Sequence, residues 1–440
     1  MRMKNPRILL HTAVRAAQPE RGWHRPGELA VAAILLAAVA VGIVREVRAA
    51  YGPFNEWSVG EWLINYHGGF IRRGLPGEVI HWLATVWHVS PITSAVAVSL
   101  VSYGMLAVLV FLHGMGLLFM PTMLSAVALG AFPLGGYLIR KDAFLLVLFA
   151  IAVTITASAS RSGSPMRMLT GFLATNVLAV VAILSHESFA FFGLPGLVLI
   201  AATTGGRLRP ARGLLWILPA IAAMVAVLTS TGSPSHAAAI HASWQHLPEP
   251  LPPGRLADPR GPQGAIWFLK HTPREAAGAA RIVLEKVDRQ IFWEPVMWFL
   301  TALAALCFVR ERPYRPHASH ADGDNQRTGL WLAIALEGLA IAPLFLIAYD
   351  WGRWIALWLT SSILIAPYLV DSHSALASVG TLRVVASLTS RMTRWADALP
   401  RAPETLPWFL LVFGNPGWSW ELTRYAKSTP LGTLLDLVMP

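Results

Sequence analysis

Charged side chains collect in a few short stretches of this chain, and their types suit the binding of anions and the transfer of protons. The densest stretch is YHGGFIRRGLPGEVIH at residues 66–81, in which Arg72 and Arg73 stand between glycines. A guanidinium group binds phosphate through two parallel hydrogen bonds, so arginine is a common phosphate ligand. The stretch therefore predicts an anion site. Two arginines that anchor a membrane segment would give the same pattern.

A second group of charges is Arg140-Lys141-Asp142, directly before an apolar run. Arg140 and Lys141 would extend a phosphate site. Asp142 would either contact substrate or serve as the N-cap of the helix that begins at Ala143, and the two roles are compatible.

His186 and Glu187 form a third group, and Asp350 and Arg353 a fourth. The first pair lacks the H-E-x-x-H spacing of a zinc helix, so it favours proton transfer or the orientation of a hydroxyl group over metal binding. Asp350 and Arg353 have the i, i+3 spacing of an ion pair on one helix face. That pair is either part of a site or a structural salt bridge.

Two acids in NEWSVGEW, Glu56 and Glu61, are candidates for a general base. A transfer to a hydroxyl group needs a carboxylate that accepts the hydroxyl proton as the leaving group departs. Glu56 is the first candidate by position and Glu61 the second. The alternative is that both are solvated loop charges.

The surrounding chain is that of an all-α, polytopic membrane protein. Of its 440 residues, 55% are hydrophobic and only 13% are charged, whereas soluble domains have about a quarter charged residues. About ten or eleven apolar runs are long enough to cross a bilayer. They fall at 28–46, 92–118, 120–138, 143–159, 169–185, 188–204, 213–231, 293–309, 329–349 and 354–370, with a weaker run at 405–414.

The distribution of basic residues predicts the orientation. Basic residues concentrate on cytoplasmic loops, so the basic N-terminal tail, residues 1–27, should be cytoplasmic. The run at 28–46 is read as an uncleaved membrane helix. Residues 28–370 then form the membrane domain, with external loops at 47–91 and 232–292, and 371–440 are mainly cytoplasmic with one additional membrane-associated helix. An amphipathic helix is expected at 273–293. The net charge of +11 then reflects membrane topology and contact with lipid head groups, and no nucleic-acid partner is expected.

With this orientation, all four charged groups and the two acids lie at the external face. Charges at the edge of the hydrocarbon are costly unless they are paired or functional. Glu337, inside the run at 329–349, is either a buried packing acid or the sign of a misplaced boundary.

The arrangement resembles the GT-C superfamily of membrane glycosyltransferases, and GGFIRRGLPGE, RKD, HES and DWGRW resemble motifs of bacterial membrane proteins of polysaccharide synthesis. The resemblance implies a multi-pass protein of the bacterial inner membrane with a periplasmic active face. It implies a polyprenyl-phosphate-linked sugar as donor, a glycan or glycolipid as acceptor, and an Asp or Glu base in the first external loop. FNEW supplies one acid where the family often has two. No D-x-D motif occurs in the external loops, so no cofactor is expected and a divalent metal ion, though compatible, is not indicated.

Three functions remain open. The first is a glycosyltransferase in which Glu56 or Glu61 is the base and Arg72, Arg73, Arg140 and Lys141 hold the phosphate. The second is an O-antigen or capsular polymerase or ligase centred on His186, Glu187 and Arg353. The third is a transporter of lipid-linked oligosaccharides, which is disfavoured because the predicted membrane interior has almost no charge.

Overall fold

The computed structural model describes residues 26–114, 117–203, 209–230, 232–245, 254–271, 293–307, 320–347, 350–369, 405–414 and 427–438, with a few single positions between them. Throughout these residues the regular secondary structure is helical. The expected tail at 1–27 lies almost wholly outside them. Most of the amphipathic helix expected at 273–293 and of the segment from 371 to 404 also lies outside them.

The helices are numbered here in chain order. They are α1 (Pro26–Ala50), α2 (Val59–Trp62), α3 (Gly74–Trp87), α4 (Pro91–Gly114), α5 (Met120–Leu124), α6 (Ala131–Leu134), α7 (Asp142–Arg161), α8 (Pro165–Ser185), α9 (Phe189–Thr203), α10 (Pro210–Trp216), α11 (Leu218–Thr229), α12 (Pro234–Ser243), α13 (Gly264–Phe268), α14 (Trp293–Cys307), α15 (His320–Ile347), α16 (Trp351–Leu369), α17 (Thr405–Phe413) and α18 (Pro430–Val438).

Several of these helices are long and apolar enough to cross a membrane. Among the described residues there are five, within α1, α4, α7, α8 and α15, or six if α10 and α11 form one span with a 63° bend. Helix α9 and the apolar part of α14 are shorter. An all-helical membrane-embedded protein is therefore confirmed, while the expected total of ten or eleven spans and the GT-C fold stay predictions.

The apolar run at 120–138 does not form the single helix that its composition predicts. It contains the short helices α5 and α6, separated by turns. Pro121 lies in the first turn of α5, Ser125 is extended, and Gly136 has a φ of +79°. Proline and glycine at these positions interrupt the helical hydrogen-bond pattern. Because α4 and α7 are both joined to this segment, it carries the chain from the end of α4 to the start of α7.

The chain connections bring several helix ends together. The C-terminal ends of α1, α8 and α15 and the N-terminal ends of α4, α7, α9 and α16 meet at one end of the bundle, which is called the site end below. Helix α7 is central, since it packs against α4, α8, α9 and α16. Small residues allow one of these contacts: a Cβ atom on Gly171 of α8 would lie 2.2 Å from Cβ of Ala159 on α7.

Glu337 lies within the apolar part of α15, where it is buried. Its carboxylate accepts a hydrogen bond of 3.2 Å from the hydroxyl of Ser361 on α16. The structure therefore favours the packing role over a misplaced boundary.

Candidate functional site

The structure assembles most of the charged groups identified in the sequence into one cluster at the site end. The cluster comprises Glu61, Arg73, Arg140, Lys141, Asp142, His186, Glu187, Asp350 and Arg353. These residues come from five separate chain segments. Arg72 lies at its edge, and Glu56 lies outside it.

The most buried ion pair of the cluster joins α16 to α7. Arg353 donates from Nε to Oδ2 of Asp142 over 2.7 Å and from NH2 to Oδ1 over 2.8 Å. Asp142 is the first residue of α7, and Lys141 occupies the N-cap position that the sequence offered to Asp142. A carboxylate in the first turn is favoured by the helix dipole.

The i, i+3 pair predicted on α16 forms, but it is secondary. NH1 of Arg353 lies 3.6 Å from Oδ2 of Asp350, and the same oxygen lies 3.3 Å from NH1 of Arg140. Asp350 therefore connects the RKD group to the start of α16. Nε of Arg140 is buried and has no hydrogen-bond partner among the described residues, so it retains a free donor.

A second bidentate pair joins α3 to the turn between α8 and α9. Nε of Arg73 donates to Oε2 of Glu187 over 2.8 Å, and NH2 donates to Oε1. Arg73 immediately precedes α3 and has a φ of 67°, a left-handed conformation that is rare for a residue with a side chain. Such backbone strain persists where the surrounding contacts fix the residue, and here the Glu187 pair is one of them.

Lys141 fixes the backbone of two of these segments. Its ammonium group donates to the carbonyl of Arg73 over 3.0 Å and to that of Ser185 over 3.2 Å. It also lies 5.8 Å from the ring of Trp62. The side chain is fully buried, and burial lowers the pKa of Lys141 to about 7, with Glu61 opposing this shift. In this geometry Lys141 positions the segments that carry Arg73 and His186.

Glu61 occupies the centre of the cluster, where its Oε1 atom faces three nitrogen-bearing side chains. It lies 3.0 Å from Nε2 of His186, 3.7 Å from NH1 of Arg73 and 3.8 Å from NH2 of Arg353. The other oxygen, Oε2, is buried and has no hydrogen-bond partner among the described residues. Glu61 thus retains a carboxylate oxygen that could accept a proton.

His186 supports Glu61. The amide of Ser188 donates to Nδ1 of His186 over 3.1 Å, so in the neutral ring the proton is on Nε2. Nε2 faces Glu61 at 3.0 Å, although without the alignment of a full hydrogen bond. With both nitrogens engaged in this way, His186 orients Glu61 and has no free lone pair for use as a base.

Electrostatics keep the two glutamates of the cluster ionised. Burial alone would raise the pKa of Glu61, but Arg353, His186 and Arg140 outweigh it and hold the pKa well below its usual range. Glu187 behaves in the same way, since Arg73, His186 and Arg72 overcome the effect of burial on its pKa. Burial and the nearby Arg73 lower the pKa of His186, which is therefore neutral near pH 7.

Glu56 has a different environment from Glu61. Its Oε1 atom accepts a hydrogen bond of 2.6 Å from Arg255, whose side chain is half exposed. The backbone of Glu56 accepts from the amide of Ala265 over 3.0 Å. Gly264 has a φ of +56°, and a Cβ atom there would lie 2.4 Å from the carbonyl oxygen of Glu56. Glu56 therefore holds residues 254–265 against the first loop, a role that its sequence position did not reveal.

Arg72 points away from the centre. Its NH2 group donates to the carbonyl of His271 over 3.4 Å, and its Nε atom is buried without a hydrogen-bond partner among the described residues. Of the four cations predicted to hold phosphate, Arg72 and Arg140 have a buried Nε atom without a hydrogen-bond partner among the described residues, whereas Arg73 and Lys141 are hydrogen-bonded to protein oxygens. An anion at Arg73 would have to compete with Glu187.

Sequence reasoning missed two participants. Arg255 lies in a proline-rich loop far from Glu56 in sequence, and nothing in the sequence marked it as a partner. Glu46 of α1 is partly buried, interacts electrostatically with Arg45 and Arg140, and lies close to Gly136. Its position at the last residue of the apolar run at 28–46 was the available signal, since charges at the edge of the hydrocarbon are costly unless they are paired or functional.

The described residues contain no group of three or more His, Cys, Asp or Glu side chains arranged to hold a metal ion. The chemistry that the cluster itself offers is a fixed carboxylate with one free oxygen, surrounded by guanidinium groups. Comparisons of the chain with protein-family models, curated proteins and solved structures give no match.

Proposed function

We propose that this chain is a membrane glycosyltransferase that takes a sugar from a polyprenyl-phosphate carrier at the external face of the bacterial inner membrane and transfers it to a glycan or glycolipid. The observation that supports this proposal best is the environment of Glu61. Its carboxylate is ionised, oriented by His186, and leaves Oε2 without a hydrogen-bond partner among the described residues. An ionised carboxylate with an oxygen that no hydrogen bond occupies can act as a general base.

In the proposed reaction, Oε2 of Glu61 accepts the proton of the acceptor hydroxyl group. The hydroxyl oxygen forms a bond to the anomeric carbon of the donor as the bond from that carbon to the phosphate oxygen breaks. The electron pair of the broken bond stays on the phosphate. Arg72 and Arg140, which have unused donors, would stabilise the charge that develops on the leaving group.

The low pKa of Glu61 is compatible with this role because the donor is itself an anion. A phosphate near Arg140 would offset part of the positive charge that holds the pKa of Glu61 down. Donor binding would therefore raise the basicity of Glu61 when a base is needed.

The geometry ranks the alternatives. A polymerase or ligase with His186 as base is disfavoured, since Nδ1 of His186 accepts from Ser188 and Nε2 faces Glu61. A transporter would be expected to carry its charged site near the membrane midplane, whereas the ion-pair cluster lies at helix ends.

The test uses the purified chain in liposomes with polyprenyl-phosphate sugars and a glycan acceptor. We expect Glu61→Gln to reduce transfer by about 100-fold or more. Glu56→Gln, the same amide substitution five residues earlier, should reduce it by less than about threefold. If Glu61→Gln retains transfer while His186→Ala abolishes it, the polymerase or ligase mechanism replaces ours. Movement of the carrier lipid without a glycosidic product would indicate a transporter.

A further inference from the structure

Helix α3 has one side that is buried against the protein and another whose apolar side chains are largely exposed. Its buried residues are Gly74, Gly77, Ile80 and Ala84. On another side, Val79, Trp82, Val86 and Trp87 are 50%, 52%, 55% and 66% exposed. Their spacing of i, i+3, i+7 and i+8 places them along one stripe of the helix. This stripe is called the outer stripe below.

The buried side fixes α3 rigidly to the segment that carries Glu61. A Cβ atom on Gly77 would lie 2.0 Å from the carbonyl oxygen of Ile64, and one on Gly74 would lie 2.3 Å from the ring of Tyr66. The amide of Tyr66 also donates to Glu78 of α3 over 3.0 Å. Backbone contacts this close leave little freedom for α3 to slide. A change in the position of α3 therefore also moves the segment that carries Glu61.

The outer stripe belongs to a helix that is next in sequence to a candidate membrane span. Three residues separate the end of α3 from the start of α4, and α4 is among the helices able to span a membrane. Its exposed large residues, Val101, Met105, Val108 and Leu112, also form a stripe at helical spacing. The four positions of the outer stripe are uncharged, and two are tryptophans, a residue enriched where a membrane meets water.

The polar residues of α3 lie on a strip between these two sides. Glu78, His81 and the exposed Thr85 occur there, about 100° around the helix from Val86. A helix with a buried side, an apolar side and a polar edge suits the boundary between head groups and acyl chains.

We propose that the outer stripe of α3 inserts into the membrane interface and thereby sets the height of the Arg73–Glu187 pair and of Glu61 relative to the lipid phosphates. Arg73 immediately precedes α3, so the depth of the helix and the depth of the site are coupled. The consequence of this insertion for substrate choice rests on the proposed function. The site would favour donors whose phosphate is held at this height by a membrane-embedded chain.

The placement of α3 is tested by spin labelling in liposomes, which needs no activity. Cys307 is the single cysteine of the chain, so Cys307→Ser provides a background for Val86→Cys and Thr85→Cys. We expect a nitroxide at position 86 to collide more with oxygen, which dissolves in the bilayer, and one at position 85 more with a water-soluble nickel chelate. Equal access of the chelate to both positions would overturn the proposal. Dipolar broadening at position 86 would assign the stripe to a second copy of the chain and also overturn it.

The effect on substrate choice is tested with two donors, one with a long polyprenyl chain and one with a short, water-soluble chain. Val86→Asp should raise the KM for the long donor about tenfold and leave the short donor within about twofold, since a charge on the stripe opposes insertion. Thr85→Asp is the control and should alter neither value. An equal rise for both donors would contradict the coupling of depth to donor choice. If no donor supports transfer in the unsubstituted chain, the proposed function fails, while the spin labels still decide the position of α3.

Discussion

Arg353 and Asp142 form a two-point ion pair across 211 residues of sequence, with hydrogen bonds of 2.7 and 2.8 Å. Their side chains are 5% and 0% exposed. The pair joins the first turn of α16 to the first turn of α7, and the same guanidinium lies 3.8 Å from Glu61. The sequence predicted that Arg353 pairs locally with Asp350. In the structure its main partner is Asp142, which is distant in the sequence.

The first prediction concerns the stability of this pair. Asp142→Asn or Arg353→Met alone should destabilise the protein by about 3–5 kcal/mol, because each leaves a buried charge without its partner. The double variant should lose less than the sum of the two. Thermal unfolding in detergent measures this. Asp436→Asn is the control, since its pair with Lys427 is exposed, and it should have no measurable effect. Additive losses in the double variant would contradict a coupled pair.

The second prediction concerns pH. Burial tends to raise the pKa of Glu61, and Arg353 is the largest of the groups that lower it. Arg353→Gln removes the largest lowering influence, so the pKa of Glu61 rises and Glu61 is protonated at a higher pH than in the unsubstituted chain. The acid limb of the profile of kcat/KM against pH should move upward, whereas Arg353→Lys, which retains the charge, should move it less. An unmoved limb in the Gln variant would exclude Glu61 as the group that this limb reports.

The third prediction concerns the seat of α3. Gly77→Ala would place a Cβ atom 2.0 Å from the carbonyl of Ile64, so the helix must shift. We expect a loss of roughly 1–3 kcal/mol of stability together with reduced transfer. Gly104→Ala on α4 is the matched control, because its Cβ atom would have nothing within 4 Å, and it should leave the melting temperature unchanged or raise it. Equal behaviour of the two variants would argue against a close fit at Gly77.

The fourth prediction separates Glu56 from Glu61. Glu56→Gln removes the ion pair with Arg255 and should release residues 254–265 from the first loop. Limited proteolysis should then cleave this segment several-fold faster, since cleavage follows local opening. Arg260→Gln is the control, because the partner of Arg260 is Asp258 in the same turn. Unchanged cleavage in Glu56→Gln would mean that Ala265 and Gly264 hold the segment without the ion pair.

The sequence predicted which segments meet, but not how their charges pair. Alternation of apolar runs placed the RRG, RKD, HES and DWGRW motifs at one end of the bundle, and the structure brings them together. The sequence could not predict the ion-pair partner of Arg73, because four acids occur in these charged groups. The three-dimensional arrangement shows that the partner is Glu187. The choice between Glu56 and Glu61 depended on Arg255, whose position is fixed by a loop without periodicity.

The helix boundaries were also predicted in part. Apolar runs with regular composition, such as those of α1, α4, α7 and α8, were placed to within a few residues. The run at 120–138 was treated as one helix because its hydropathy is high throughout. Its prolines and glycines, among them Pro121, Pro133 and Gly136, carried the contrary signal. In this run the proline and glycine positions decide the backbone conformation, although the composition is apolar throughout.

The long separation between Asp142 and Arg353 also bears on how the protein is made. At about 5–20 residues per second, the ribosome adds the intervening 211 residues in roughly 10–40 seconds. During that interval Asp142 lacks its bidentate partner and Glu61 lacks one of its neighbouring cations, so the half-made chain differs from the finished one in the charge balance of its site. Arrival of α16 thus supplies the guanidinium that closes the cluster, before α17 and α18 are added.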